Sequence, residues 1–321
     1  MPSIKPLTIA SAANNTGTIG GAAAPPRFVG RREVKLSLNT SYLGDTGREE
    51  HCLRSIKAAG FDSIQWIHDW NGDYMYAPSE IEQIADWLST YGLVMGDLHA
   101  SKGIRKDYMS FNEYERKAGV ELIENRVDLA ARCGARVIVL HMPIPTALWN
   151  SPRLDDLYGR VFRSLDELRP YCIGKDVRIA VENLVQTDYR KETEQFERLF
   201  ERYDAEFLGL CYDSGHANCA FRGTGESVGF LERFADRLLS VHLTDNDGRG
   251  DAHWVPFSGS VDWSGIARVL VDTGYDGYVT LESVLRRSGL EDEAIYLEEC
   301  FARAERFREL AERVRRSGSA P

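Results

Sequence analysis

The chain has 321 residues, 43% hydrophobic and 27% charged, a balance typical of a soluble globular protein and long enough for one large α/β domain or two smaller ones. Its 39 Lys and Arg against 49 Asp and Glu leave a formal charge of −10, which argues against a protein that holds nucleic acid by neutralising phosphates. No apolar run reaches bilayer-spanning length and the six cysteines include no CxxC pair, so a cytoplasmic protein with reduced thiols and no membrane partner is expected.

Residues 1–32 are rich in Ala, Gly, Asn, Thr and Pro and are expected to form a flexible tail that carries no chemistry. From Val34 onward, strand and helix patterns alternate eight times. The strand patterns cover Val34–Asn39, Ser63–Ile67, Leu93–Leu98, Val137–His141, Ile179–Glu182, Phe207–Tyr212, Leu238–Leu243 and Tyr278–Glu282. Amphipathic helical periods fill the intervals at Glu50–Ala59, Ser79–Tyr91, Asn112–Cys133, Leu154–Tyr171, Glu192–Tyr203, Ser227–Ala235, Asp262–Asp272 and Asp292–Arg316. Pro78 opens one of these helices, and Gly60, Gly134 and Gly274 close others. Eight β-then-α units predict a single (β/α)8 TIM barrel over residues 33–316, with 317–321 a short tail. An open doubly wound sheet fits less well, because Asn39-Thr40-Ser41-Tyr42 follows the first strand where a Gly-rich phosphate loop would stand.

A barrel of this kind places its active site at the carboxyl ends of the strands. There the sequence sets His99, His141, Glu182, Asp213 with His216 three residues on, His242 with Asp251 and His253 in its loop, and Glu282. Five of the seven histidines fall at this face. Neutral imidazole beside carboxylate suits a borderline divalent metal such as Zn²⁺ or Mn²⁺, with Mg²⁺ or Co²⁺ as alternatives. Glu182 and Glu282 each end an apolar strand, where a buried carboxylate is costly unless paired or metal-bound. One cation shared by Glu182, Asp213, His242 and Glu282 resolves both. Trp66, His68, Trp70, Trp149 and Trp254 offer flat apolar faces that suit a sugar ring, and Arg249, Arg286 and Arg287 are candidates for a substrate anion.

The motifs VENL at 181–184, DSGHAN at 213–218 and VHLTDND at 241–247, the last followed by Asp-x-His and VDW, together resemble the xylose isomerase-like TIM-barrel superfamily over residues 34–316. That group includes sugar and sugar-phosphate isomerases and epimerases, inosose dehydratases and endonuclease IV. The resemblance implies a single metal held by Glu182, Asp213, His242 and Glu282, with the two glutamates doubling as acid and base and His216 binding substrate. The endonuclease IV branch implies three Zn²⁺ ions on nine ligands, and His99, His141, Glu182, Asp213, His216, His242, Asp251, His253 and Glu282 match all nine. The loop SYLGDTGR after the first strand is short and nearly neutral, unlike the basic, aromatic loops of a lesion-flipping nuclease. Pro256-Phe257-Ser258-Gly259 departs from the Gly-x-Gly usual in the group.

The expected activity is therefore a metal-dependent isomerase or epimerase acting on a small sugar, sugar phosphate or polyol by proton transfer through a metal-stabilised enediolate, with no nucleic-acid partner. An endonuclease IV-like abasic-site phosphodiesterase and an inosose dehydratase-like lyase are the alternatives. The oligomeric state is left open, a homo-oligomer included.

Overall fold

Eight parallel strands close on themselves in sequence order, β1 pairing with both β2 and β8. The computed structural model describes residues 33–44, 47–185, 189–223 and 226–318, so the expected N-terminal tail lies outside the described residues. The strands are β1 Lys35–Asn39, β2 Ser63–Trp66, β3 Val94–His99, β4 Val137–His141, β5 Arg178–Glu182, β6 Leu208–Asp213, β7 Leu238–Leu243 and β8 Tyr278–Leu281. The helices are α1 Glu49–Ala58, α2 Pro78–Tyr91, α3 Glu113–Cys133, α4 Arg153–Gly174, α5 Tyr189–Arg202, α6 Ser214–Ala220, α7 Ser227–Arg233, α8 Trp263–Thr273, α9 Leu285–Ser288 and α10 Glu293–Gly318. Two of these, α6 and α9, are short additions to the expected set. The last helix runs two residues into the expected C-terminal tail.

Side chains on a strand alternate between faces, and that parity decides what the barrel presents inward. Outward residues such as Ile138, Leu140, Ile179, Val181, Leu210, Tyr212, Val241, Leu243, Val279 and Leu281 pack into one core against the helices. Val137, Val139, Ala180 and Cys211 form a separate small cluster inside the barrel. Polar Ser37, Ser63, Asp97, Ser240 and Thr280 are also buried. Register shifts between Ile64 and Gln65 against β3, and between Leu210 and Cys211 against β7, accommodate one extra residue each, Gly96 and Leu239.

Helix ends follow the punctuation in the sequence. The side chains of Asn112, Asp213 and Asp262 accept hydrogen bonds from the first turns of α3, α6 and α8, and Gly92, Gly134 and Gly274 close α2, α3 and α8 in the left-handed conformation. All six cysteines are free, and no helix among the described residues is long and apolar enough to cross a membrane.

Two helical glycines make opposite predictions. Gly159 in α4 is exposed with nothing near a would-be Cβ, so Gly159→Ala should stabilise the fold by about 0.5–1 kcal/mol through helix propensity alone. In α3, a Cβ on Gly119 would lie 2.2 Å from the Tyr108 backbone nitrogen, so Gly119→Ala should instead destabilise by about 1–3 kcal/mol. Urea midpoints of the two variants check the sign; an equal gain from both would mean that α3 and the Tyr108 turn do not pack this closely.

Candidate metal centre

The inward position nearest the carboxyl end of each strand carries Asn39, Gln65, His99, His141, Glu182, Asp213, His242 and, one residue past β8, Glu282. The barrel therefore ends in a ring of polar groups. Within it, one donor atom from each of Glu182, Asp213, His242 and Glu282 lies within 4.8 Å of the others, and all four residues are buried. Four further groups gather at the same spacing, among them His99 with His141 and Glu182, and His216 with Asp251 and His253. All nine sequence-derived candidates are thus brought to one face.

Their positions are fixed by hydrogen bonds that account for the motifs. Asn183 and Asp213 exchange bonds, the Asn183 amide donating to the Asp213 carbonyl at 3.0 Å and the Asp213 N–H donating to Asn183 Oδ1 at 2.8 Å. Asp213 Oδ1 accepts from the His216 N–H at 2.6 Å and from Thr244 Oγ1 at 3.0 Å. Gly215 must lack a side chain because a Cβ there would meet Thr244 Oγ1 at 2.1 Å. Asp245, fully buried, takes no part in the donor cluster. Its carboxylate accepts from the N–H groups of Asn246, Gly259 and Val261 and from the Trp263 indole, which ties the long loop after β7 to the start of α8.

Electrostatics oppose this convergence unless positive charge answers it. Burial works to raise the Glu182 carboxyl, but the charges of His141 and His242 hold it well below the usual range. Glu282 is lowered in the same way, burial being outweighed by His242 and His99. Burial raises Asp213, with Glu182 and Glu282 adding to the rise against the pull of His216. The imidazoles respond in turn. Burial disfavours charge on His216 and His242, yet the surrounding acids raise both. His253 is carried up to about 9 against its burial by Asp251, which it meets at 3.1 Å.

A divalent cation fits this donor set. Glu182 Oε1 and Glu282 Oε1 are buried and neither receives a well-aligned hydrogen bond, although histidine nitrogens stand 3.2 Å from the first and 3.0 Å from the second. Both glutamates belong to the four-residue group, and these oxygens lie 3.6 Å and 3.3 Å from His242 Nδ1. Three carboxylates and one imidazole form the mixed oxygen and nitrogen set that Mn²⁺ and Zn²⁺ accept.

The candidate substrate contacts divide. Trp66 stands on the outward parity of β2, 2% exposed, with its indole donating to the Tyr76 hydroxyl at 2.9 Å; it belongs to the core rather than the pocket. His68 is buried edge-on against that indole, ring centroids 4.9 Å apart. Arg249 projects into solvent, 89% exposed, 3.8 Å from Asp247. The expectation for Trp66 is corrected, since its side chain packs in the core between strands and helices. Trp254 is half-buried, its backbone bridging Asp245. The aromatic wall is Trp70, whose ring lies 5.3 Å from His99 and 4.9 Å from His141. The expectations passed over Gln65 and Asp97, polar residues whose inward parity puts them beside His242. Their signal is a polar side chain inside a short apolar strand.

Comparison with known proteins points the same way. A family model for the xylose isomerase-like TIM barrel matches residues 53–317. The chain is 36% identical to an uncharacterized protein of Sinorhizobium fredii over 265 residues, 77% of this chain and 84% of the relative. It is 25% identical to fructoselysine 3-epimerase of Escherichia coli O157:H7 over 259 residues, 73% and 85% of the two chains. Among solved structures, a D-tagatose 3-epimerase-like protein superposes with a TM-score of 0.70 at 22% identity, over 87% of this chain and 99% of that one.

Without metal, the raised histidines stabilise the fold only while protonated. For His253 that contribution is complete below about 6.5 and lost as pH rises through about 9. The metal-free protein should therefore melt progressively lower between those pH values. Added Mn²⁺ should restore stability most at the upper end, because ligation requires neutral imidazole and releases protons. Calorimetric melting with and without Mn²⁺ across this range tests it; a metal-free melting temperature that climbs with pH would contradict the charge assignment.

Proposed function

Because the chain belongs to the xylose isomerase-like TIM-barrel family, we propose that it is a divalent-metal-dependent isomerase or epimerase of a small sugar, sugar phosphate or polyol. The observation that carries this reading is the buried convergence of Glu182, Asp213, His242 and Glu282, with one oxygen of each glutamate left without a well-aligned donor. When bound, Mn²⁺ or Zn²⁺ (Mg²⁺ or Co²⁺ alternatively) supplies Lewis-acid polarisation of a substrate carbonyl.

The remaining chemistry belongs to the protein. Glu182 and Glu282 stand on strands three places apart in the ring, so they approach a substrate lying across the centre from different sides. Each is held as a carboxylate by neighbouring histidines, the state a base needs to take a proton from the carbon beside a carbonyl. The other glutamate returns the proton, on the same carbon for epimerisation or the adjacent one for isomerisation. His216 donates from Nδ1 to the Asn183 carbonyl at 2.9 Å, which leaves Nε2 to orient a substrate oxygen. Trp70 covers His99 and His141 with an apolar face suited to a sugar ring. The fructoselysine 3-epimerase of Escherichia coli supports this assignment at the level of reaction type.

A second reading rests on the two flanking groups, His99–His141–Glu182 and His216–Asp251–His253, which would make the centre trinuclear and suit phosphodiester cleavage at an abasic site. The net charge of −10 weighs against duplex DNA as substrate, since that affinity is largely counterion release by basic contacts.

Metal stoichiometry and the reaction catalysed separate the readings. The epimerase reading expects about one tightly held metal per chain, solvent deuterium entering a ketose or inosose carbon, and loss of at least about 10²-fold in turnover for Glu282→Gln. Three zinc ions per chain together with incision of an abasic-site duplex would replace it with the nuclease.

A further inference from the structure

Beneath the ring, His242 is held from behind by residues with no place in the chemistry above. Its Nδ1 faces Glu282 Oε1 at 3.3 Å and Glu182 Oε1 at 3.6 Å, the direction of the proposed metal. Its Nε2 points the other way, into the barrel, 2.6 Å from the Gln65 amide nitrogen and 3.6 Å from Asp97 Oδ2. Asp97 Oδ2 also accepts a hydrogen bond from Ser240 Oγ, which reaches it from β7 across the barrel. Cys211 Sγ lies 3.5 Å from both ring nitrogens. Gln65 and His242 are completely buried, and Asp97 and Ser240 are 2% exposed, so water does not substitute for these partners.

The 2.6 Å contact can be satisfied in two ways. If the Gln65 amide donates to Nε2, the ring proton sits on Nδ1 and blocks the lone pair that a metal needs. If the amide is turned end for end, Gln65 Oε1, otherwise buried without a partner, accepts from Nε2–H and frees Nδ1. Asp97 decides between them. Its carboxylate stands on the Nε2 side of the ring, accepts from Ser240 Oγ, and keeps Oδ1 without a partner. A ring N–H facing this carboxylate is favoured, whereas a lone pair facing it is repelled. Metal-bound histidines generally need such an acceptor behind the ring to fix tautomer and orientation.

We propose that Gln65 and Asp97 are positioning residues that hold His242 in its Nε2–H form, aiming the Nδ1 lone pair at the metal, with Ser240 orienting Asp97. The proposal rests on the metal-dependent reading of the centre and adds which nitrogen of His242 ligates and what fixes that choice.

The test uses Asp97→Asn, which keeps shape but weakens the acceptor, and Gln65→Met, which keeps length but removes both polar atoms. Calorimetric titration with Mn²⁺ alone should show both variants binding about 10–100-fold more weakly than wild type while circular dichroism reports an unchanged fold. In the Zn²⁺-loaded wild type, nitrogen-15 spectra of His242 should show a protonated, exchange-protected Nε2 and a coordinated Nδ1; in the variants a share of His242 should shift to the Nδ1–H tautomer, whereas loss of packing alone would speed exchange without changing the tautomer. Mn²⁺ binding within twofold of wild type in both variants, or a wild-type His242 protonated on Nδ1, would overturn the proposal. If wild type itself binds no Mn²⁺, the metal reading fails, and the His242 tautomer in the metal-free protein at alkaline pH still decides the role of Gln65 and Asp97.

Discussion

The structure depends on one electrostatic constraint, the convergence of Glu182, Asp213 and Glu282 where none of them reaches water. Three buried carboxylates at this spacing repel, and each has left a favourable hydration shell. Positive charge must answer them, from protonated His216 and His242 in the metal-free protein or from a divalent cation in the proposed working form. The histidines are therefore more than ligands. They allow the barrel to fold around acids that would otherwise oppose it, and they yield protons when metal arrives.

Strand parity and two register shifts deliver that constraint geometrically. On β5, β6 and β7, alternation sends Val181, Tyr212 and Val241 outward to the helices and Glu182, Asp213 and His242 inward. Leu239 is an extra residue between Leu238 and Ser240 against β6, and without that register shift regular alternation from Leu238 would put His242 on the other face. The short motifs carry structural duties beside chemical ones. Asn183 and Asp213 lock β5 to β6, Gly215 lets α6 approach Thr244, and Asp245 gathers the amides that close the β7 loop. Replacing Asn183, Gly215 or Asp245 would displace a proposed ligand without touching it.

Much of this was legible from the chain. The alternation of period-2 and period-3.6 patterns gave eight strands at nearly their observed positions, because buried parallel strands and amphipathic helices leave strong periodic signatures. Six of the nine candidate residues were legible because His, Asp and Glu at the ends of apolar strands have few structural reasons to be there, and His216, Asp251 and His253 because they follow those strand ends closely. The phase of β2 was not legible. Ser63-Ile64-Gln65-Trp66 allows either parity, and the large indole suggested a pocket when it belongs to the core. Gln65 and Asp97 went unread because their partner lies 177 and 145 positions away in sequence, a juxtaposition that only barrel closure creates. Helix α6 is a single seven-residue element nucleated by the Asp213 cap, too short for periodicity to reveal.

The departure at Pro256-Phe257-Ser258-Gly259 has a physical resolution in the same loop. Phe257 adopts φ 68° and His253 φ 47°, both in the left-handed region that normally selects glycine. Such a conformation costs on the order of 1–3 kcal/mol per residue and persists only where its surroundings impose it. For Phe257 the surroundings are its own ring, 5.2 Å from Trp263 and 4.0 Å from the Arg306 guanidinium, contacts of about 0.5–1.5 and 0.5–2 kcal/mol. A glycine would relieve the strain and lose both contacts, so the two solutions are close in energy. His253 packs edge-on against the His216 ring of the centre, centroids 5.9 Å apart, and its ring is held by Nδ1 to the Glu282 carbonyl at 2.7 Å and Nε2 to Asp251 at 3.1 Å. The strain at Phe257 is thus offset by packing remote from the centre, while that at His253 is maintained by the centre itself. An aromatic anchor at Phe257 thus holds, at a position where glycine would be unstrained, the loop that delivers His253.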